Sequence, residues 1–341
     1  MILIHSDRFA EHTPPPGHPE RPERAEAMAA IAARWRERGG TVASPSPATH
    51  EQLARVHGLD YIQLIAGTAG RAVALDPDTY TSPESYDVAL LAAGAAVDAV
   101  EYAIATNADP VALALVRPPG HHAERDRAMG FCLFNSVAVA AAHARARGIE
   151  RIAIVDYDVH HGNGTQHIFE RDAHVLYVST HQFPYYPGTG AADEIGEGEG
   201  RGFTVNVPIE AGALDEDYRI AFTDVVIPAV RQFGPGLIIV SAGFDAHERD
   251  PLAGMRLTTP AFGAMTAELR AVANDSCGGR MAIVTEGGYD LQALGASLDA
   301  VVQTLAAADG TARWPDGGGR PGRGGAAAAA TRAALSSYWK L

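Results

Sequence analysis

Short apolar runs that alternate with Ala-rich helical stretches constrain the fold of this chain more than any other feature. The runs occupy residues 1–5, 111–116, 151–157, 174–179, 203–209, 237–243 and 281–288. Helical spacing occupies residues 84–106, 134–148, 215–233, 258–273 and 290–308. Strands that are apolar on both faces and alternate with helices are typical of a parallel sheet covered on both sides. The sequence therefore predicts an α/β protein with a central, mostly parallel sheet and helices on both faces.

One domain accounts for nearly all of this pattern. The 341 residues are 47% apolar and 20% charged, a composition typical of a globular protein with a sizeable core. Because no break in composition divides the chain before residue 308, we predict a single domain over 1–308. The Gly- and Ala-rich segment 309–330 is predicted to be a low-complexity linker or surface loop, followed by a tail helix over 331–341.

The charge and the cysteine content exclude several classes of protein. A formal net charge of −14 argues against non-specific binding to nucleic acid or to an anionic membrane. Two cysteines are too few for a disulfide framework and suit a reducing compartment. The start, "MILIHSDRFA", does not read as a signal peptide, and no stretch is expected to reach the roughly 20 apolar residues of a membrane span. We therefore predict a cytoplasmic protein without nucleic-acid or membrane partners, and leave a homo-oligomer open.

Polar residues follow four of the predicted strands at the point where each strand ends. The segments are "RPPGHHAE" after 111–116, "DVHHGNG" after 151–157, "FDAHERD" after 237–243 and "EGGYD" after 281–285. Ligands of open parallel sheets bind outside the carboxyl ends of the strands. The sequence thus predicts one site at this edge of the sheet.

A metal site is the first hypothesis for this edge. Asp158 and His160 are two residues apart, so on an extended segment their side chains point to the same side. Asp245 would add a third ligand from a neighbouring strand. Three protein ligands with one position left for water is the plan of a catalytic zinc site, although this ligand set also suits ferrous iron or another first-row ion. The alternative is that Asp158 and His160 only cap a turn.

Three further residues are candidates for acid, base and oxyanion roles. His121 and His122 could transfer protons near neutral pH, and Asp156 and Asn163 are the candidate partners that would fix their tautomers. An aspartate partner favours a charged imidazolium more than an asparagine does, so separate roles are expected. Tyr289, after two glycines, could stabilise an oxyanion beside a metal. The alternatives are ordinary loop histidines and a packing tyrosine.

These segments, taken in order, resemble the histone deacetylase superfamily over about residues 1–308, and the class II branch with its bacterial amidohydrolases most of all. Besides the four segments above, the resemblance rests on "HPERPER" (18–24), "GFCLFNSVAVAA", "LYVSTH" and "YYPGTG". It implies an arginase-like fold in which residues 1–308 are a deacetylase catalytic domain with one zinc ion. The residues that match its zinc ligands are Asp158, His160 and Asp245.

The resemblance also implies catalytic roles. His122 matches the usual general base and acid, while His121 acts mainly electrostatically, with Asn163 and Asp156 behind them respectively. Class I members carry aspartate at the position of Asn163. Tyr289 matches the tyrosine that polarises the substrate carbonyl together with zinc. Removal of an acetyl or acyl group from an amine by activated water is the implied reaction.

Structural potassium, at one or two sites, is a further implication of the resemblance. An inner site would use Asp156, Ser179 and Thr180, with carbonyls of Asp158 and His160. An outer site would use carbonyls of Phe169, Asp172, Val175 and Phe203.

The substrate class stays open between acyl-lysine in peptides or proteins and acetylated polyamines. Phe131 and Tyr186 match the aromatic walls of the acyl-lysine tunnel, and Gly130 a backbone contact in it. Leu252 matches a gatekeeper position where polyamine-selective members carry glutamate, so an apolar gate favours acyl-lysine. Asp78 is a candidate rim residue that could grip a substrate N–H or a cation.

Two other functions are compatible with the fold. A ureohydrolase would need two manganese ions, for which the chain lacks an extra aspartate pair after His160. A catalytically silent binding protein would not need His121, His122 and Tyr289 together.

Overall fold

A parallel sheet forms the centre of the molecule, which the computed structural model describes over residues 1–307, 312–316 and 322–341. The strands are β1 (Ile2–His5), β2 (Thr41–Ala43), β3 (Val73–Ala74), β4 (Tyr80–Thr81), β5 (Val111–Leu115), β6 (Ile152–Asp156), β7 (Val175–Gln182), β8 (Thr204–Ile209), β9 (Leu237–Ala242) and β10 (Met281–Thr285). In the described residues, eight of them form one sheet in the order β2-β1-β5-β10-β9-β6-β7-β8, and every neighbouring pair is parallel. β3 and β4 pair separately and antiparallel.

Helices connect these strands. They are α1 (Glu23–Glu37), α2 (His50–Leu53), α3 (Leu59–Ala66), α4 (Ser85–Ala105), α5 (Ser136–Ala146), α6 (Asn163–Phe169), α7 (Asp215–Ala221), α8 (Ile227–Phe233), α9 (Thr259–Cys277), α10 (Leu291–Ala306) and α11 (Arg323–Leu335). A π-helical turn over Phe222–Val226 joins α7 to α8.

The sheet has a separate hydrophobic core on each face. In β5, Val111, Leu113 and Leu115 pack into the core that contains α1 and α7 to α11. Ala112 and Ala114 point the other way, into the core that contains α3, α4 and α5. Both faces of a strand must be apolar when helices cover both sides, which is why these segments read as unbroken apolar runs. The predicted α/β fold, with helices on both faces of a parallel sheet, is confirmed.

The helix ends differ from the predicted intervals for local reasons. α9 continues past residue 273 to Cys277 and stops where Gly278 adopts a left-handed conformation with φ of 63°. Glycine accepts this conformation without a steric penalty and is a common helix terminator. The interval 215–233 holds α7 and α8 rather than one regular helix, because the π-helical turn interrupts the α-helical hydrogen bonding.

The C-terminal helix begins earlier than predicted. α11 covers Arg323–Leu335, whereas the tail helix was expected over 331–341 and residues up to 330 as a linker. Its alanines are strong helix formers, and Ala327, Ala328 and Leu335 are buried in the core on one face of the sheet. Asp217 accepts hydrogen bonds from the backbone N–H groups of Gly322 (3.0 Å) and Gly324 (2.8 Å). The rest of the predicted linker, at 309–311 and 317–321, lies outside the described residues.

One helix corrects the expectation that no stretch is long and apolar enough to span a membrane. α4 has 21 residues, and the 18-residue window within it reaches a mean hydropathy of 1.7. Of that window, 67% is buried inside the fold, the pattern of a core helix. The apolar character of α4 is therefore explained by its packing against β5 and α5.

Candidate active site

The four polar segments meet at one edge of the sheet, as the parallel topology requires. His121 and His122 follow β5, Asp158 and His160 follow β6, Asp245 follows β9, and Tyr289 follows β10. These four strands are neighbours in the sheet, so their carboxyl ends lie side by side. All six side chains are buried.

Asp158, His160 and Asp245 form a compact cluster of metal-ligating groups. One ligand atom from each residue lies within 4.8 Å of the others. His160 Nδ1 is 3.2 Å from Asp158 Oδ1 and 3.2 Å from Asp245 Oδ2. Within the part of the chain that the structure describes, this is the one cluster of three such residues.

Backbone groups fix the orientation of the two carboxylates. The Gly287 N–H donates to Asp158 Oδ2 (2.9 Å), the His160 N–H donates to Asp158 Oδ1 (2.9 Å), and the Val159 N–H donates to Asp245 Oδ1 (3.0 Å). Asp245 Oδ2 is buried and makes no well-aligned hydrogen bond among the described residues, although His160 Nδ1 lies 3.2 Å away. A Cβ at Gly287 would lie 2.2 Å from this oxygen, so only glycine leaves it accessible.

The cluster has the properties expected of a cation site. Burial, and then the charge of Asp158, raise the pKa of Asp245. Two buried carboxylates side by side, with a single histidine next to both, are costly unless a cation neutralises the pair. Two carboxylates and one imidazole are ligands that zinc and other first-row ions accept. The donor set therefore fits a divalent metal ion.

The tandem histidines lie beside this cluster and have different partners. Their ring centroids are 4.0 Å apart. His121 Nδ1 is 3.0 Å from Asp156 Oδ2, and His122 Nδ1 is 2.8 Å from Asn163 Oδ1. The structure thus pairs each histidine with the partner expected from the sequence. Tyr177 adds a hydrogen bond from its hydroxyl to Asp156 Oδ2 at 3.2 Å.

The pKa values of the two rings are shifted in opposite directions because their surroundings differ. Burial alone would lower the pKa of His121, but the Asp158 and Asp156 carboxylates outweigh it and raise the pKa to about 10. Burial, and then the positive charges of His121 and His160, hold the pKa of His122 well below its usual value. These shifts favour a charged His121 and a neutral His122 at neutral pH, and a neutral imidazole can act as a base.

Glu286 holds the loop that carries the histidines. Its Oε2 accepts from the backbone N–H groups of Gly120 (2.6 Å) and His121 (3.2 Å), and its Oε1 accepts from Ser241 Oγ (2.8 Å). These contacts join the ends of β5, β9 and β10. Glu286 is therefore a structural residue of the site.

Tyr289 is held from both sides. The Asp250 carboxylate accepts from its backbone N–H at 2.6 Å, and the Arg24 guanidinium carbon lies 5.0 Å from the centre of its ring. Arg24 also donates to the carbonyl oxygens of Gly288 (2.7 Å) and Glu286. Burial raises the pKa of the Tyr289 hydroxyl well above its usual value, so this group stays protonated and can donate a hydrogen bond.

A buried charge cluster stands behind Tyr289. Glu20 accepts from Arg24 Nη1 (2.9 Å), Arg117 Nη2 (2.7 Å) and Arg117 Nε, and His12 Nε2 lies 3.4 Å away. Glu20, Arg24 and Arg117 are all 0% exposed. Sequence reasoning missed these residues, although "HPERPER" contains Glu20 and Arg24. No spacing rule places that segment against residues 286–289.

A cavity of about 150 Å³ leads to the cluster. The residues that line it are Asp78, His122, Gly130, Phe131, His160, Tyr185, Tyr186, Leu252 and Tyr289. All five predicted substrate-binding residues are among them, and Tyr185 is the one the sequence analysis missed. Its ring stacks on His160 with centroids 5.6 Å apart, and its hydroxyl donates to the Leu252 carbonyl at 2.7 Å.

The aromatic walls have defined positions. Phe131 adopts φ of 70°, uncommon for a residue with a side chain, and its ring centroid lies 5.7 Å from that of Tyr289. A Cβ at Gly130 would lie 2.4 Å from the His122 ring, so this position requires glycine. Tyr186 meets the His122 ring edge-on at 5.2 Å.

The residues predicted to bind potassium lie along β6, α6, β7 and β8. Asp156 and Ser179 are paired across β6 and β7, and the buried Thr180 Oγ1 has no hydrogen-bond partner in the described part of the chain. Ser179 Oγ is 2.9 Å from His181 Nδ1. For the outer site, the carbonyls of Phe169, Asp172 and Phe203 each accept one backbone hydrogen bond, which leaves one lone pair free on each.

Comparisons with known proteins agree with this geometry. The chain matches the family model described as "Histone deacetylase domain" over residues 18–305. A histone deacetylase-like amidohydrolase from Pseudomonas aeruginosa is 46% identical over 251 residues, 72% of this chain and 65% of that protein. The human polyamine deacetylase HDAC10 is 41% identical over 305 residues, 83% of this chain and 44% of that protein. The crystal structure of the HDA15 HD domain aligns with a TM-score of 0.90 and 37% identity, covering 99% of this chain and 97% of the other.

The chain spans only part of the length of several curated relatives. It covers 55%, 60% and 62% of three plant histone deacetylases. Residues 18–305, which match the family model, nevertheless contain all the residues of the cluster and the cavity described above.

Proposed function

The chain belongs to the histone deacetylase family, and from this premise we propose that it is a zinc-dependent amidohydrolase that removes acetyl or other acyl groups from acyl-lysine side chains. The observation that carries the proposal is one small cavity lined by three groups: His160 of the metal-ligating cluster, His122 with a lowered pKa, and Tyr289 with a raised pKa. A binding protein without catalysis would not need these three chemistries together.

Asp158, His160 and Asp245 would hold the metal ion. A divalent ion bound there supplies Lewis-acid polarisation of a carbonyl and lowers the pKa of water. The buried Asp245 Oδ2, which makes no well-aligned hydrogen bond among the described residues, supports this assignment. A two-manganese ureohydrolase is not favoured, since the described residues offer a single cluster of three ligands.

His122 would act as general base and then as general acid. With its Nδ1 hydrogen-bonded to Asn163, its Nε2 is free to accept a proton from the attacking water and to return it to the leaving amine. His121 would remain protonated throughout, because Asp156 and Asp158 stabilise its charge. Its cation lowers the proton affinity of His122 and so favours the return of the proton.

Tyr289 would stabilise the developing oxyanion. Its hydroxyl is protonated and lines the same cavity as His122. A hydrogen bond that strengthens as the carbonyl oxygen becomes negative lowers the barrier more than it stabilises the substrate. Acetate, or another carboxylate, and a free amine are the products.

The residues that line the cavity suit a substrate whose acyl amide lies at the end of a long, flexible aliphatic chain. Phe131 and Tyr186 present aromatic surface, and the apolar Leu252 lies at the mouth with the Asp78 carboxylate. Asp78 could accept a substrate backbone N–H or pair with an ammonium group. An acetylated polyamine is therefore the second candidate substrate; one relative at 41% identity is named a polyamine deacetylase, and the net charge of −14 would attract such a cation.

Structural potassium at the predicted positions and a cytoplasmic location stay predictions. The unpartnered Thr180 hydroxyl and the pairing of Asp156 with Ser179 support the inner potassium site.

The experiment that tests the function compares two substrates on the zinc-loaded protein. We would measure kcat/KM for an acetyl-lysine peptide and for an acetylated polyamine side by side. Preference for the peptide supports the proposal, and preference for the polyamine replaces the substrate but retains the chemistry. Hydrolysis of neither, by protein with a full metal site, would contradict the proposed function.

A further inference from the structure

Asn163, the partner of His122, carries an amide whose two sides meet different groups. Its Oδ1 lies 2.8 Å from His122 Nδ1. Its Nδ2 donates to Glu124 Oε1, and also lies 3.4 Å from the His122 carbonyl oxygen and 3.4 Å from Met129 Sδ. Only acceptors surround the NH₂ side, and a ring nitrogen, His122 Nδ1, faces the oxygen side.

The orientation of this amide decides whether His122 can accept a proton. If the amide were turned by half a rotation, Nδ2 would face His122 Nδ1 and donate to it, and the ring proton would have to lie on Nε2. His122 would then present an N–H to the cavity instead of a lone pair. An aspartate at 163 could not fail in this way, because both of its oxygens are acceptors.

Glu124 is the strongest acceptor on the NH₂ side. Its side chain is 16% exposed and accepts from His167 Nδ1 at 2.8 Å and 3.1 Å through its two oxygens. Asn163 and His167 are four residues apart on α6 and so lie on one side of that helix, where both reach Glu124. Burial alone would raise the pKa of Glu124, but the hydrogen bond and charge of His167 outweigh it and lower the pKa. Glu124 is thus a carboxylate anchored by one α6 residue and bonded to the other.

We propose that Glu124 is a positioning residue that holds the Asn163 amide in one orientation and thereby keeps the His122 proton on Nδ1. The catalytic part of this inference rests on the proposed function of His122 as the base. Its structural part, the tautomer of His122, does not depend on any reaction.

Glu124→Met tests the proposal, because methionine keeps the length of the side chain and removes the acceptor. We expect kcat to fall about tenfold with KM unchanged, because a charge-assisted hydrogen bond no longer selects the amide orientation. Glu124→Gln retains one acceptor oxygen and should lose less. Glu101→Met is the matched control: Glu101 also accepts from a histidine, His143, but its other partner is Arg147 rather than Asn163, so kcat should not change.

A second variant separates positioning from damage to the fold. In Asn163→Asp/Glu124→Met, either aspartate oxygen can accept from His122, so no oriented amide is needed. We expect the double variant to recover kcat relative to Glu124→Met. A double variant as slow as Glu124→Met would overturn the proposal, since the loss would then be structural.

The tautomer itself is measurable by NMR on zinc-loaded protein with ¹⁵N-labelled histidine, with His122 assigned through His122→Asn. The wild type should show the proton on Nδ1, and Glu124→Met should show a mixture with the Nε2 form. If the wild type hydrolyses no acyl amide but the tautomer shifts, the proposed function fails and this inference stands. An unchanged tautomer in Glu124→Met would overturn it whatever the activity.

Discussion

Neutralising Glu20 should destabilise the fold far more than its distance from the cavity would indicate. Glu20→Gln keeps the shape of the side chain but removes the one carboxylate that bonds both Arg24 and Arg117. Both guanidiniums are 0% exposed and have no route to water. Arg117 retains a hydrogen bond to the Phe9 carbonyl at 2.6 Å and Arg24 one to Gly288 at 2.7 Å, but carbonyls do not cancel their charge.

The expected cost follows from these contacts. Removing one partner of a buried ion pair costs about 3 to 5 kcal/mol, because the remaining charge is left uncompensated. Glutamine keeps one acceptor oxygen, so the variant loses one of the three hydrogen bonds to Glu20 outright and the negative charge that strengthens the other two. For a chain of 341 residues the entropy of unfolding is about 0.7 kcal/mol per degree, so the melting temperature should fall by about 4 to 7 °C.

The stabilisation of the fold by Glu20 should also depend on pH, and its direction follows from the pKa of Glu20. Burial alone would raise the pKa of Glu20, but Arg117, His12 and Arg24 outweigh it and hold the pKa well below its usual value of 4.5. A depressed pKa stabilises the fold above pH 4.5 and loses that effect as the pH falls below it. The difference in melting temperature between wild type and Glu20→Gln should therefore narrow on acidification.

Thermal unfolding followed by circular dichroism, from neutral pH down to about pH 4, measures the fall in melting temperature and its narrowing on acidification. The lower end of this range lies near the ordinary pKa of glutamate. Glu26→Gln, an exposed glutamate on α1, is the control and should change the melting temperature by less than about 1 °C. A Glu20→Gln protein that melts with the wild type at neutral pH would refute the reasoning that this buried charge is needed.

Two further predictions concern the cavity. Tyr289→Phe should lower kcat about 10²- to 10³-fold by removing an oxyanion donor, with metal content unchanged by elemental analysis; near-normal kcat would contradict the role of the hydroxyl. Asp245→Ala should leave the purified protein without its metal and without activity, because it removes a ligand that the cluster cannot replace. Full zinc occupancy in that variant would show that the ligand set is wrong.

The sheet and the members of the cluster could be predicted because both depend on local patterns. Apolar runs such as 111–116 mark strands buried on both faces, and a parallel topology brings their carboxyl ends to one edge. Asp158 and His160 are two residues apart on one chain segment, so their meeting needs no tertiary information. Asp245 comes from another strand, and its inclusion depended on the sheet and on the family resemblance.

The supporting contacts could not be predicted because they join distant segments through single side chains. Arg24 reaches the Gly288 carbonyl across 264 residues, and Arg117 reaches Glu20 across 97. Neither contact leaves a periodicity, and a run of charges such as "HPERPER" is equally typical of a solvated surface. The predicted start of the C-terminal helix was wrong for a related reason. A Gly-rich composition indicates a loop, but the distant Asp217 carboxylate accepts from the first backbone N–H groups of α11 and so stabilises the start of the helix.

His121 and His122 show that a sequence motif can identify the residues of a site without giving their pKa values. They are adjacent, buried and of one residue type, with ring centroids 4.0 Å apart, yet one is held as a cation and the other as a neutral ring. The carboxylates of Asp158 and Asp156 outweigh burial and raise the pKa of His121, whereas burial and the charge of His121 lower the pKa of His122, whose own partner is the Asn163 amide. An amide, unlike a carboxylate, has one acceptor side and one donor side. With an asparagine at position 163, a further residue is therefore needed to keep the amide oxygen facing His122. The contacts of the site therefore extend beyond the tandem histidines to Glu124, the last residue of "RPPGHHAE", whose hydrogen bond with Asn163 only the folded structure reveals.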